Sequence, residues 1–225
     1  MVAVTDLPRP RAVLLDWDNT LAENWLSIQA ALNAALADAG KPPMDLDSVM
    51  LQARHSARDV FPQLFGEDYR RARDVFYGHF NRNHVAGLRM MAGADDLLDA
   101  LAEAGVPLAL VSNKKSDFLR REVTHLGWDG RFGAIVGAGD AQNDKPDPAP
   151  IYLALNGLKL TPGADIWMVG DTDVDIRAGK AAGCTSILIG SAIDPTLFEG
   201  AEPALRCRNC SDLAGFVRSE RHTIS

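Results

Sequence analysis

Cysteine is scarce in this chain: its 225 residues include three. So small and odd a number builds no disulfide framework, and the compartment expected from it is the cytoplasm. No apolar run approaches the roughly 20 residues needed to cross a bilayer. Residues 1–11 also lack the long apolar stretch after a basic start that marks a signal peptide. Basic charge is in deficit, with 23 Lys and Arg against 30 Asp and Glu and a net charge of −7. That balance argues against a general nucleic-acid or anionic-membrane role, since both need a basic face. A small anionic partner stays open, because one local cluster of donors overrides the global sign. There is no internal repeat and no low-complexity tract. With 47% hydrophobic and 24% charged residues, the composition is that of a globular chain able to bury one sizeable core, with or without a smaller insertion.

The most informative stretch is Leu14-Leu15-Asp16-Trp17-Asp18-Asn19-Thr20-Leu21. Here the apolar run 12–15 gives way to small polar residues. If that run is a buried parallel strand, Asp16 and Asp18 emerge at its carboxyl end, where open α/β sheets bind ligands. Two like charges so close repel each other and raise a pKa unless a cation lies between them, so the pair predicts a divalent metal. Asn19 tolerates the left-handed backbone that a sharp turn requires, and the Thr20 hydroxyl is placed to orient a carboxylate. Trp17 is expected to point into the core. The plain alternative for an Asp-x-Asp is a solvated turn.

From Asn24 to about Arg89 the apolar spacing is helical. Trp25, Ile28, Ala31, Leu32, Ala35 and Leu36 form one stripe, Tyr69, Ala72, Val75, Phe76, His79 and Phe80 another, and a shorter, less regular helix is expected near 46–55. After Gly93, helices alternate with short apolar runs. Strands are expected at 106–111, 132–136, 166–169 and 185–189, helices at 94–104, 116–126, from about 148, 173–182 and 212–219. The fold class predicted is α/β, a doubly wound parallel sheet carrying an inserted all-helical domain. Residues 1–22 and 90–225 would form the core and 23–89 a helical cap above the sheet's carboxyl edge.

The later strand ends add further chemistry. Ser112 and Asn113 offer a hydroxyl and an amide suited to phosphate oxygens, or are simply turn formers. Lys145, in the proline-flanked Asp144-Lys145-Pro146-Asp147-Pro148, can neutralise both a phosphate and a nucleophile near a helix start, or be an ordinary solvated lysine. Asp173 and Asp175 are explained as acids in a helix's first turn, whereas Asp171, at the strand end, is the better metal ligand. All-oxygen donors of this kind suit Mg²⁺.

With these motifs in order, the sequence resembles the haloacid dehalogenase superfamily of Mg²⁺-dependent phosphohydrolases from Arg11 to about Gly190. Val111-Ser112-Asn113-Lys114 and Lys145-Pro146-Asp147-Pro148 are similar to its phosphoglycolate phosphatase-like branch, and the insertion to its first type of helical cap. The resemblance implies that Asp16 attacks phosphorus while Asp18 protonates the leaving group and then activates water. It implies that Mg²⁺ is held by the Asp16 side chain, the Asp18 backbone carbonyl and Asp171, with Asp175 in support. Ser112, Asn113 and Lys145 would bind the phosphoryl group. The expected substrate is a small phosphorylated metabolite, with 2-phosphoglycolate as candidate. A sugar-phosphate phosphomutase, a 2-haloacid dehalogenase and a non-enzymatic binding module are the rivals; Asp18 counts against the dehalogenase.

Other features receive plainer readings. Cys207 and Cys210 form a lone Cys-x-x-Cys, expected on a short last strand and in the loop before the last helix, without partners for zinc. Cys184 is read as core. His79 and His84 either pack or face a cleft. Arg54, His55 and Arg58 either meet a substrate carboxylate or form a solvated face, as Arg70, Arg71 and Arg73 do.

Overall fold

Strand β1 (Ala12–Leu15) consists of four fully buried apolar residues. A strand buried on both faces belongs inside a parallel sheet covered by helices on both sides. The structure, a computed structural model, describes residues 7–52, 57–190 and 195–222. In chain order, β1 is followed by β2 (Ala22–Glu23), helices α1 (Trp25–Asp38), α2 (Leu46–Gln52), α3 (Ala57–Phe65) and α4 (Tyr69–Asn83), and β3 (Arg89–Met90). Then come α5 (Ala94–Glu103), β4 (Leu108–Lys115), α6 (Ser116–His125), β5 (Ala134–Ala138) and α7 (Ala149–Gly157). The chain continues through β6 (Ile166–Gly170), α8 (Asp173–Ala181), β7 (Thr185–Ile189), β8 (Leu205–Cys207) and α9 (Cys210–His222).

Six strands form one sheet in the order β5-β4-β1-β6-β7-β8, and every pairing is parallel. The chain therefore builds outward from β1 through β4 and β5, then returns to the other side of β1 and builds outward again. That reversal makes β1 the topological switch point, and its carboxyl end opens the crevice in which such sheets bind ligands. Alternate residues cover the two faces. Ala12, Leu14, Ala109, Val111, Ile166 and Met168 pack with Ile151, Ala154 and Leu155 of α7 and Ala178 of α8. On the other face, Trp167 lies 6.1 Å from Phe216 of α9, which runs along α5. The α/β class expected from the sequence is what the structure has.

The chain divides into two compact units, Met1–Ala22 with Met90–Ser225, and Glu23–Arg89. The second is helical and has its own core of Leu32, Ala35, Leu36, Val49, Phe61, Phe65 and Ala72. An aromatic series runs through it: Phe61 stacks on Phe65 and meets Phe76 edge-on, Phe76 stacks on Phe80, and Phe80 stacks on His84. Helix α3 falls within the span whose pattern is helical, although Pro62 stands inside it. Burial of Phe61 and Phe65 offsets the lost backbone hydrogen bond.

One difference from the sequence expectation is the length of β4. It begins at Leu108 and continues through Ser112, Asn113 and Lys114 to Lys115, rather than ending at Val111. Its register against β5 shifts between Val111 and Lys115, so a bulge lets polar residues continue the strand.

Candidate active site

Asp16 continues the β1 ladder by donating its N–H to the Val169 carbonyl at 2.9 Å. The chain then turns sharply. Asn19 takes the left-handed conformation, φ 60°, and donates its N–H to Ala22 O at 2.7 Å, while Leu21 and Ala22 both donate to Trp17 O. This is the turn for which asparagine is tolerated. It leaves Asp16 buried and Asp18 half-buried, at the carboxyl end of the central strand.

Lys145 reaches this point from the loop before α7. Its Nζ donates to Asp16 Oδ1 at 2.8 Å, Asp175 Oδ1 at 2.6 Å and the Val111 carbonyl at 2.6 Å. An ammonium has three donors, and all three are engaged. Asn113 holds the lysine's main chain from both sides: its Nδ2 donates to Lys145 O at 2.8 Å, and its Oδ1 accepts from Lys145 N at 2.9 Å. Asn113 and Lys145 thus spend these side-chain donors within the protein, on the Lys145 main chain and on Asp16, Asp175 and Val111. Asn113 builds the loop, and Lys145 neutralises two carboxylates. Ser112 is buried, and its Oγ accepts from Lys114 N at 3.2 Å.

The end of β6 brings the remaining acids. Thr172 caps α8, and Asp175 Oδ2 accepts from both Thr172 N at 3.1 Å and Thr172 Oγ1 at 2.8 Å, closing a capping box. Gly170 is required by close approach, since a Cβ there would collide with the Asp175 carboxylate. Asp173 pairs with Arg177 one turn on and takes no part in the cluster. Asp171 is half-buried and accepts no hydrogen bond or ion pair from the described residues.

Carboxylate oxygens of Asp16, Asp171 and Asp175 lie within 4.8 Å of one another. Burial, reinforced by the charges of Asp175 and Asp18, raises the Asp16 carboxyl to about 6, against the opposing pull of Lys145. Burial and the charges of Asp175 and Asp16 push Asp171 well above the usual carboxylate range. Burial works against the Lys145 ammonium, yet Asp16 and Asp175 outweigh it and hold the lysine firmly charged. These acids repel one another at a point where one of them has no partner, and a divalent cation relieves that conflict. The donor set fits such an ion. Asp175 already has both oxygens engaged, whereas Asp171 and the second oxygen of Asp16 are open to the cation.

Two residues of this site escaped the sequence reading. Lys114 Nζ lies 2.6 Å from Asp18 Oδ1 and 2.8 Å from Glu122 Oε2, with the lysine side chain 5% exposed and the glutamate fully buried. Glu122 Oε2 also accepts from Trp17 Nε1 at 2.7 Å. Trp17 does point into the core, edge-on to Trp128 at 5.9 Å. The signal for Glu122 lay in α6, where Phe118, Leu119, Glu122 and Val123 are all buried: an acid on an apolar stripe needs a buried partner. Among the described residues the Thr20 hydroxyl bonds no carboxylate. Its Oγ1 is buried without a hydrogen-bond partner among the described residues, and its carbonyl accepts from the Cys210 thiol at 3.1 Å.

Cys184, Cys207 and Cys210 are free and buried, Cys210 is the first residue of α9 rather than a loop residue, and burial pushes the Cys207 and Cys210 thiols up to about 11 and 12. In the helical unit His84 is buried against Phe80 and its carbonyl accepts from Asn24 Nδ2 at 2.7 Å, whereas His79 is half-buried and its carbonyl accepts from Asn83 Nδ2 at 3.0 Å. Arg71 pairs with Asp38 on an exposed face. Arg54, His55 and the Arg58 side chain lie outside the described residues. No helix among the described residues is long and apolar enough to cross a membrane.

Comparison with known proteins agrees with this geometry. The sequence profile of the haloacid dehalogenase-like hydrolases matches residues 13–189. A phosphoglycolate phosphatase of Yersinia pestis is 31% identical over 189 residues, 79% of each chain. A phosphoglycolate phosphatase of Aquifex aeolicus is 31% identical over 79% of this chain and 84% of its own. A haloacid dehalogenase-like family hydrolase from Streptococcus pneumoniae superposes with a TM-score of 0.81 at 17% identity, covering 91% of this chain and 97% of that one. The site at the switch point, the profile match and the relatives converge: this chain belongs to the haloacid dehalogenase-like hydrolases.

Proposed function

We propose that the protein is a Mg²⁺-dependent phosphatase that hydrolyses a small phosphorylated metabolite, with 2-phosphoglycolate as the leading candidate, in a cytoplasmic setting. One observation carries the reading: a buried carboxylate, Asp16, is held by Lys145 at 2.8 Å with one oxygen open, two residues before a second acid, Asp18. In the first step an Asp16 oxygen attacks phosphorus and the phosphoester bond breaks. The leaving alkoxide takes the proton of Asp18, and Asp16 becomes an aspartyl-phosphate. In the second step Asp18, now ionised, removes a proton from water as that water attacks the intermediate. Phosphate departs, and both acids return to their starting states. The ion, when bound through Asp16, the Asp18 carbonyl and Asp171, supplies charge neutralisation between nucleophile and phosphoryl group. Lys145 and Asp175 keep Asp16 oriented, and Ser112 faces the transferred group. The unit Glu23–Arg89 is the cap domain that selects the substrate.

The test is a panel of phosphate monoesters, including 2-phosphoglycolate and hexose phosphates, assayed in Mg²⁺ and in excess EDTA. Release of inorganic phosphate that EDTA abolishes is the expected result. Isomerised sugar phosphate without net phosphate release would replace the reading with a phosphomutase. Turnover of 2-haloacids that survives EDTA would replace it with a dehalogenase.

A further inference from the structure

The phosphatase reading needs Asp18 to deliver and recover a proton from a fixed position, yet Asp18 stands on a turn with its side chain about one quarter exposed. Something must select one rotamer. The ion pair that meets it is drawn from β4 and α6, far along the chain. Lys114, near the end of β4, holds one Asp18 oxygen at 2.6 Å, and its ammonium is itself held by Glu122 of α6 at 2.8 Å. The same Glu122 oxygen accepts the indole N–H of Trp17, the residue between the two catalytic acids. Glu122 thus grips the nucleophile turn twice, once through the backbone-linked Trp17 and once through Lys114. Gly137 presses on this corner, because a Cβ there would meet the Lys114 carbonyl at 2.8 Å and Ser116 Cα at 2.5 Å.

A buried ion pair generally adds little net stability over an apolar replacement. Retaining one beneath a catalytic turn calls for a different account. We infer that Glu122 and Lys114 are positioning residues for the reaction: Glu122 fixes Lys114 and Trp17, and Lys114 ties one Asp18 oxygen so that the other is presented to the leaving group and then to water. Neither touches substrate. The inference rests on the phosphatase reading and adds to it the residues that decide how well Asp18 works.

The decisive variant is the double substitution Lys114→Met with Glu122→Leu, which removes the two more deeply buried charges together and leaves Asp18, about one quarter exposed, without its tie. It should fold, as read by circular dichroism and thermal melting. Its kcat should fall roughly 100-fold, the scale on which a misplaced catalytic group costs rate. KM and inhibition by inorganic phosphate should stay within about two-fold, since uniform binding is untouched. Acid-quenched enzyme labelled from a radioactive phosphate ester should retain more aspartyl-phosphate than wild type, because the second step also depends on Asp18. Glu122→Gln, which keeps an acceptor for Trp17 and Lys114, should recover most of the rate; it also serves as the probe should the double variant not fold.

A rise in KM with weakened phosphate inhibition would overturn the inference by making Lys114 a substrate-binding residue. An unchanged kcat in the folded double variant would overturn it by making the pair structural. If wild type hydrolyses no phosphate ester, the phosphatase reading has failed on its own. Crystals of the double variant then still decide the matter: an Asp18 side chain that keeps its wild-type rotamer sinks the positioning role, and a displaced one upholds it.

Discussion

Replacing Asp171 with asparagine should stabilise the metal-free protein while destroying its response to metal. Three carboxylates meet within 4.8 Å at the switch point. Two unit charges at such a separation repel by about 3.5 kcal/mol at an effective dielectric of 20. Lys145 sits between Asp16 and Asp175 but does not contact Asp171. Asp171 therefore bears the uncompensated share, and Asn keeps its size while removing its charge. Allowing for residual hydration and relaxation, the gain should be about 1–3 kcal/mol, or roughly 3–10 °C in Tm for a chain of this length. The assay is thermal unfolding at pH 8, once in EDTA and once in saturating Mg²⁺. Wild type should melt higher with Mg²⁺, by about 2.7 kcal/mol at 100 times Kd, and Asp171→Asn should lose most of that increment. The sign of the pH dependence follows from the same crowding. Folded carboxyls raised above their unfolded values bind extra protons, so metal-free stability is full at low pH and is lost as pH rises. For Asp16 the window runs from about 4 to about 6. For Asp171, whose carboxyl is also raised, the loss starts at the ordinary carboxylate range and extends upward. The reasoning is refuted if metal-free Asp171→Asn melts below wild type, or if wild type melts identically in EDTA and Mg²⁺.

Three further predictions concern the same cluster. Asp16→Asn should lower turnover by on the order of 10⁴-fold or more with no loss of fold, measured by phosphate release and circular dichroism; appreciable residual turnover would remove Asp16 as nucleophile. Lys145→Met leaves two buried carboxylates without their shared cation and should cost about 3–5 kcal/mol in urea unfolding, together with most activity. Gly170→Ala should drive the Asp175 carboxylate out of place and weaken the α8 cap, lowering stability by about 2–4 kcal/mol and slowing turnover; a variant as stable as wild type would show that the strand end yields easily.

Much of the architecture is legible in the sequence, because it rests on local pattern. Buried apolar runs alternating with amphipathic helices dictate a parallel sheet, and acids placed directly after a run sit at its carboxyl end. Asn19 announced its left-handed turn by residue type alone. Pro62 is accommodated inside α3 by aromatic packing that is tertiary. The extension of β4 past Val111 was hidden by a bulge that depends on β5.

The roles within the site divide along the same line. Asp16, Asp18, Asp171 and Lys145 could be singled out from sequence because each stands at an element boundary of distinctive composition. Which of them touch could not. Lys145 meets Asp16 across 129 residues and Asp175 across 30, and Lys114 meets Asp18 across 96. The amide of Asn113 suits a phosphate oxygen by residue type, and only the folded chain shows it engaged with the Lys145 backbone. Residue chemistry and spacing along the chain determined where the reactive groups emerge. The tertiary structure decided which charges neutralise which, since the energy of a buried ion depends on partners within a few ångströms, and those partners are brought together only by the order of strands in the sheet.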